Sequence, residues 1–130
     1  MITNTAVGSK QLWAGRIVSA LVVLALLGSG AGKLSHQEAL VTDFIGKFGY
    51  PETVLSAIGV TEILCTLLYA IPQTSLLGAI LLTGYFGGAI ATHVRIGEAF
   101  VPPLMIGVLI WLGLYLRTGA LRALVPWKKS

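Results

Sequence analysis

Four stretches of this chain are apolar for nearly the length of a membrane crossing, and between them they contain one carboxylate, Glu62. A hydrocarbon core of roughly 30 Å needs about 20 helical residues to span it. Residues 12–32, 53–71, 76–92 and 99–116 come close to that length. The 130-residue chain is 55% hydrophobic and 11% charged, too little polar surface to coat a water-facing globule. That balance excludes a soluble enzyme, a disordered regulator and a disulfide-stapled secreted domain. The net charge of +4 comes from nine basic residues spread singly, so no nucleic-acid stripe forms.

The pattern predicts an all-α membrane protein, a four-transmembrane-helix antiparallel bundle forming a single integral membrane domain over residues 1–130. Pro72-Gln73-Thr74-Ser75 is so short that the second and third spans must be antiparallel neighbours. Pro102 and Pro103 fall in the first turn of the fourth span, where a missing N–H does no harm. The longer link between spans one and two reads as a short amphipathic interfacial helix. Ser35-His36-Gln37-Glu38 resembles a capping box, Leu40, Val41, Phe44, Ile45 and Phe48 share one face, and Gly49-Tyr50-Pro51 stops it. A solvated loop is the plainer alternative.

Lysine and arginine counts set the orientation. Lys10, Arg16, Arg117, Arg122, Lys128 and Lys129 gather at one end, against Lys33, Lys47 and Arg95 at the other. Both termini are therefore expected in the cytoplasm, with Trp13, Tyr69, Tyr115 and Trp127 at the inner interface and Phe48, Tyr50 and Phe100 at the outer. A cleaved signal peptide ending at Gly28-Ser29-Gly30-Ala31-Gly32 is the rival reading of the N-terminus. Close helix approach is expected at small residues, at the pairs Gly28/Gly32, Gly84/Gly88 and Gly87/Ala91.

Glu62 is the residue that needs an explanation. A charge near the centre of a span costs roughly 2.5–3.5 kcal/mol on insertion scales, so it is expected to face the bundle, protonated or paired. Counting outward from the Pro72–Ser75 turn puts Tyr85 level with it, able to donate its O–H. Glu62, Cys65, Thr66 and Tyr69 follow helical spacing, a polar stripe on one face. Tyr85, Ala89 and Thr92 share a face of the third span. His93, Arg95 and Lys33 lie at the outer end, with Ser29 one turn deeper than Lys33. Glu62, Tyr85, Thr92, His93, Arg95 and Lys33 are thus the candidate ligand-binding residues, with Glu62 and Tyr85 as floor and the basic residues as rim. The bland alternative makes Glu62 a register-fixing ion pair and His93 and Arg95 headgroup anchors. Lone Cys65 reads as a packing residue. With only His36 and His93 present, no metal or haem is expected, nor any other cofactor.

Gly59-Val60-Thr61-Glu62, Tyr69-Ala70-Ile71-Pro72 and the stretch from Leu82 through Thr83-Gly84-Tyr85-Phe86-Gly87-Gly88-Ala89-Ile90-Ala91-Thr92-His93-Val94-Arg95 resemble the DoxX-like family of small bacterial membrane proteins. Ser29-Gly30-Ala31-Gly32-Lys33-Leu34 fits it as well, and the resemblance runs from about Ala14 to Leu124. It implies a four-helix inner-membrane bundle and a link to respiratory or thiol redox chemistry, because the family takes its name from a subunit associated with a quinol oxidase. Glu62, Tyr85, His93 and Arg95 match its recurring polar positions.

Three functions fit these residues. The first is a non-catalytic subunit or binding module holding a quinone or lipid-like ligand, with membrane lipids, a redox protein or a second copy as partners. The second is a proton-coupled, quinone-reactive oxidoreductase element, which needs an electron source the sequence lacks. The third is a small dimeric transporter.

Overall fold

The computed structural model describes residues 7–128, and every regular element among them is helical. Four long helices carry the fold: α1 (Ser9–Leu34), α3 (Leu55–Ala70), α4 (Ser75–Arg95) and α5 (Val101–Arg117). Two short ones, α2 (Glu38–Thr42) and α6 (Gly119–Arg122), lie between α1 and α3 and after α5. Helix α1 packs along α3 and α5, and α4 packs along the same two, so the four close a ring.

The ring buries several polar residues within an otherwise apolar core and leaves many large apolar residues exposed outside. Ser19, Glu62, Thr66, Ser75 and Thr92 are buried, while Leu21, Leu24, Leu64, Leu77, Ile80, Met105 and Val108 are exposed. In water this would be untenable; in lipid, leucine gains nothing by turning inward. Ser9–Leu34, Glu52–Ala70 and Pro72–Arg95 are long and apolar enough to cross a membrane, and Val101–Arg117 is a shorter apolar helix. The helices agree with the expected spans to within a few residues, and the chain is a membrane protein.

The predicted polar stripe of α3 is buried throughout: Glu62, Cys65, Thr66 and Tyr69 all face inward. Tyr69 is therefore not an interfacial anchor but a core residue. Its O–H donates to the Ile110 carbonyl at 2.6 Å, and the Ser19 hydroxyl lies 3.2 Å away. The Arg117 guanidinium sits 5.0 Å from its ring and donates to its carbonyl at 3.1 Å. Residue Lys129, counted above among the basic residues, lies outside the described residues.

The glycine pairs expected at helix contacts are mostly not where the helices meet. A Cβ added at Gly28, Gly84, Gly87 or Gly88 would meet nothing within 4 Å. Close approach occurs instead at Gly30 of α1 against Gly59 of α3, at Gly15 against Arg117, and at Gly113 against Ser19 and Tyr69. The reason is rotational. Burial of Gly15, Ser19, Val22, Leu26 and Gly30 fixes which face of α1 looks inward, and Gly28 falls off that face.

The link between α1 and α3 begins with a C-terminal motif rather than a capping box. His36 takes a left-handed conformation (φ 53°), the Gln37 N–H bonds the Gly32 carbonyl and the His36 N–H bonds Lys33. This six-to-one, five-to-two pairing closes α1. Ser35 Oγ donates backward to Gly32 instead of forward into α2. The expected short helix follows as α2 and a π-turn over Asp43–Lys47, ended by Gly49 at φ 76°.

Candidate functional site

Between α1, α3, α4 and α5, toward the end that carries the α1–α3 link, lies a cavity of about 550 Å³. This lies within the range of roughly 300–1,000 Å³ usual for small-molecule sites. Its walls are mainly apolar, among them Leu26, Phe86 and Ile106, and Lys33, Glu62, Tyr85, Thr92 and His93 all line it. Five of the six candidate residues thus meet in one space.

The centre of the site is an ion pair. Lys33 Nζ lies 2.8 Å from Glu62 Oε1 and donates also to Ser29 Oγ at 2.7 Å, while Ser29 donates to Glu62 Oε1 at 3.2 Å. The side chains are 16% and 2% exposed, so both charges are largely withdrawn from solvent. The sequence reading put Lys33 at the rim; the structure puts its ammonium beside Glu62. Side chains on a helix tilt toward its N-terminus, so a lysine near the end of α1 reaches back down past Ser29, four residues earlier.

The pair leaves valences unused. An ammonium has three donors, and two go to Ser29 and Glu62. The short hydrogen bonds to the carboxylate from Lys33 and Ser29 both fall on Oε1. Oε2 takes neither of these short bonds, and Glu62 forms part of the cavity wall with Tyr85 beside it. Tyr85 lies beside Glu62, near enough for its hydroxyl to interact with the carboxylate, while the short hydrogen bonds to that carboxylate come from Lys33 and Ser29. Its ring stands edge-on to Phe86 at 5.1 Å.

The other polar residues are committed to holding the wall. Thr92 spends its hydroxyl hydrogen on the Gly88 carbonyl at 2.9 Å, so it must be Tyr50 that donates to Thr92 across 2.7 Å. His93 Nδ1 donates to the Ala89 carbonyl at 2.7 Å, which leaves Nε2 as the nitrogen available to a partner. Arg95 stands apart. It does not line the cavity; its guanidinium donates to the Phe48 carbonyl and lies 5.8 Å from the Tyr50 ring.

Three aromatic residues assigned by sequence to the link or the outer interface turn out to line the cavity: Phe44, Phe48 and Tyr50. Phe44 stacks on Tyr50 with centroids 4.9 Å apart, and Phe48 lies 5.3 Å from the His93 ring. The signal for Phe44 and Phe48 was the apolar face of the short helix, which covers the cavity rather than lipid alone. Outside, Lys47 pairs with Glu98 at 2.7 Å, tying the link to the turn after α4. Their hydrogen bond and attraction raise the Lys47 pKa, and the hydrogen bond from Lys47 lowers that of Glu98.

No curated protein and no solved structure matches the chain. A family model described as the DoxX-like family matches residues 17–115, a stretch that includes Ser29, Lys33, Glu62, Tyr85, Thr92, His93, all of α3 and α4 and most of α1 and α5. The chain belongs to the DoxX-like family.

Proposed function

We propose that this is a four-span inner-membrane binding module, antiparallel with both termini in the cytoplasm, that holds a quinone or a lipid-like molecule of similar polarity. It serves as a non-catalytic subunit of a membrane redox process. The observation that carries the reading is the buried Lys33–Glu62 pair with unused valences on both partners, set in the wall of an apolar cavity. A structural ion pair needs no cavity beside it.

A planar head with two carbonyl oxygens accepts from the third Lys33 hydrogen and from the Tyr85 hydroxyl, and Phe44, Phe86 and Ile106 supply contacts for an apolar tail. His93 Nε2 offers a further polar contact at the covered end. The orientation rests on Lys10, Arg16, Arg117, Arg122, Lys128 and Lys129, which outnumber Lys33, Lys47 and Arg95.

Purification in native-lipid particles followed by mass spectrometry tests this. The expected result is a copurifying quinone or lipid that is lost from Glu62→Gln. No copurified molecule, together with unchanged decylubiquinone binding in Glu62→Gln, would overturn it.

A further inference from the structure

The cavity is covered at the end of the helices and thin at its side. Phe44, Phe48 and Tyr50 lie over the end and are fastened there through Thr92, Arg95 and Glu98. On the side, Gly84 and Gly88 of α4 line the cavity and are themselves exposed, and a Cβ at either would meet nothing within 4 Å. At these two positions, one turn apart on one face of α4, the cavity wall therefore carries no side chain.

Lining the same cavity, Glu62 is 2% exposed and has an oxygen, Oε2, that takes neither of the short bonds from Lys33 and Ser29. Glycine is common in membrane helices and would mean little alone. Here the bare wall coincides with a cavity that contains a buried, incompletely satisfied carboxylate. Both glycines lie well inside Ser75–Arg95, nine residues or more from its start, so on the membrane reading the gap opens into the hydrocarbon layer.

We infer that Gly84 and Gly88 form a lateral window through which the ligand passes between the bilayer and the Lys33–Glu62 site. This rests on the binding reading and narrows it: the ligand is dissolved in lipid and slides in sideways, polar head foremost, without crossing water. A water-soluble metabolite does not meet this requirement. Gly87, one position further around α4, is also exposed and open but does not line the cavity.

The test uses the whole chain in lipid nanodiscs with trifluoromethyl-phenyldiazirine, a small apolar photoreactive probe that partitions into hydrocarbon. Peptide mapping then reports which residues are labelled. The expected result is labelling of Leu26 and Phe86, both buried and cavity-lining, that is lost in a Gly84→Leu/Gly88→Leu variant and kept in Gly87→Leu. Labelling of outward-facing Leu24 and Leu77 persists in all three, which shows that the variants are folded and inserted. Equal labelling of Leu26 and Phe86 in parent and double variant, or none in the parent, overturns the window. So does loss in Ala25→Leu with retention in the glycine variant, since Ala25 is the exposed lining residue on α1. Decylubiquinone in excess should protect Leu26 and Phe86. Labelling that responds to the leucines without such protection upholds the window and refutes the quinone reading, so the two failures are distinguishable.

Discussion

Glu62 and Lys33 are each tolerable in this fold only because of the other. Two charges removed from water are costly, and breaking a buried pair by deleting one partner typically costs about 3–5 kcal/mol, because the survivor is left uncompensated. Glu62→Gln and Lys33→Met should each lower the unfolding midpoint in detergent micelles substantially, while the double variant should recover most of the loss. Additive losses would mean that the two side chains do not act as a pair. Much of this was legible beforehand. A lone carboxylate in an apolar run had to face inward, and the spacing from the Pro72–Ser75 turn brought Tyr85 to its depth. What the sequence could not choose was the partner, because Lys33, His93 and Arg95 were all basic residues near the same end. The direction in which helical side chains lean selected Lys33.

At the scale of elements, helix spacing was readable from hydrophobicity, but helix rotation was not. Small-xxx-small pairs mark where close approach is permitted, and several helices here carry more such positions than they use. Gly113→Ala should be strongly destabilising, because its Cβ would fall 2.6 Å from Ser19 Oγ and 3.0 Å from the Tyr69 hydroxyl. Gly28→Ala should be neutral or slightly stabilising in the same assay, since it adds helix propensity and meets nothing. Comparable losses at both positions would contradict the packing described.

The α1–α3 link shows a second limit of sequence reading. Ser35 and Glu38 had the spacing of a capping box, yet the backbone hydrogen bonds of the preceding helix end took precedence, and the apolar face beyond was used to cover the cavity. Its tie to the α4–α5 turn depends on pH. The lowered Glu98 pKa makes the Lys47 contact stabilising above the ordinary glutamate range and lost as acid protonates it. The raised Lys47 pKa makes it stabilising below the ordinary lysine range and lost as alkali deprotonates the ammonium. Hydrogen exchange at the Phe48 and Tyr50 amides, corrected for intrinsic rates, should therefore show a protection plateau near neutrality with loss at both extremes. Lys47→Met should abolish that profile. Both groups are solvated, so the difference should shrink at high salt.

At the scale of the whole molecule, the four helices and their count followed from length and composition, because lipid demands that every backbone group be paired within its own segment. The close contact of Gly15 with Arg117 places the start of α1 beside the end of α5. Single cysteines at Gly8 and Lys128, in a Cys65→Ser background, should thus react with an impermeant maleimide from the same face of oriented vesicles, which the orientation proposed above makes the cytoplasmic one. A cysteine at Gly97 should react only from the other face. Opposite-sided labelling of the two ends would refute the four-span arrangement.

The juxtaposition of Lys33 and Glu62 also bears on voltage. A full charge carried across a membrane exchanges roughly 2.3 kcal/mol with each 100 mV of potential. A cation and an anion 2.8 Å apart form only a short dipole, and the field does almost no net work on the pair. The native site is electrically silent, and its occupancy should not follow the energised state of the cell. In Glu62→Gln the ammonium loses its cancelling partner, so any displacement of that charge along the membrane normal would then couple the site to the potential.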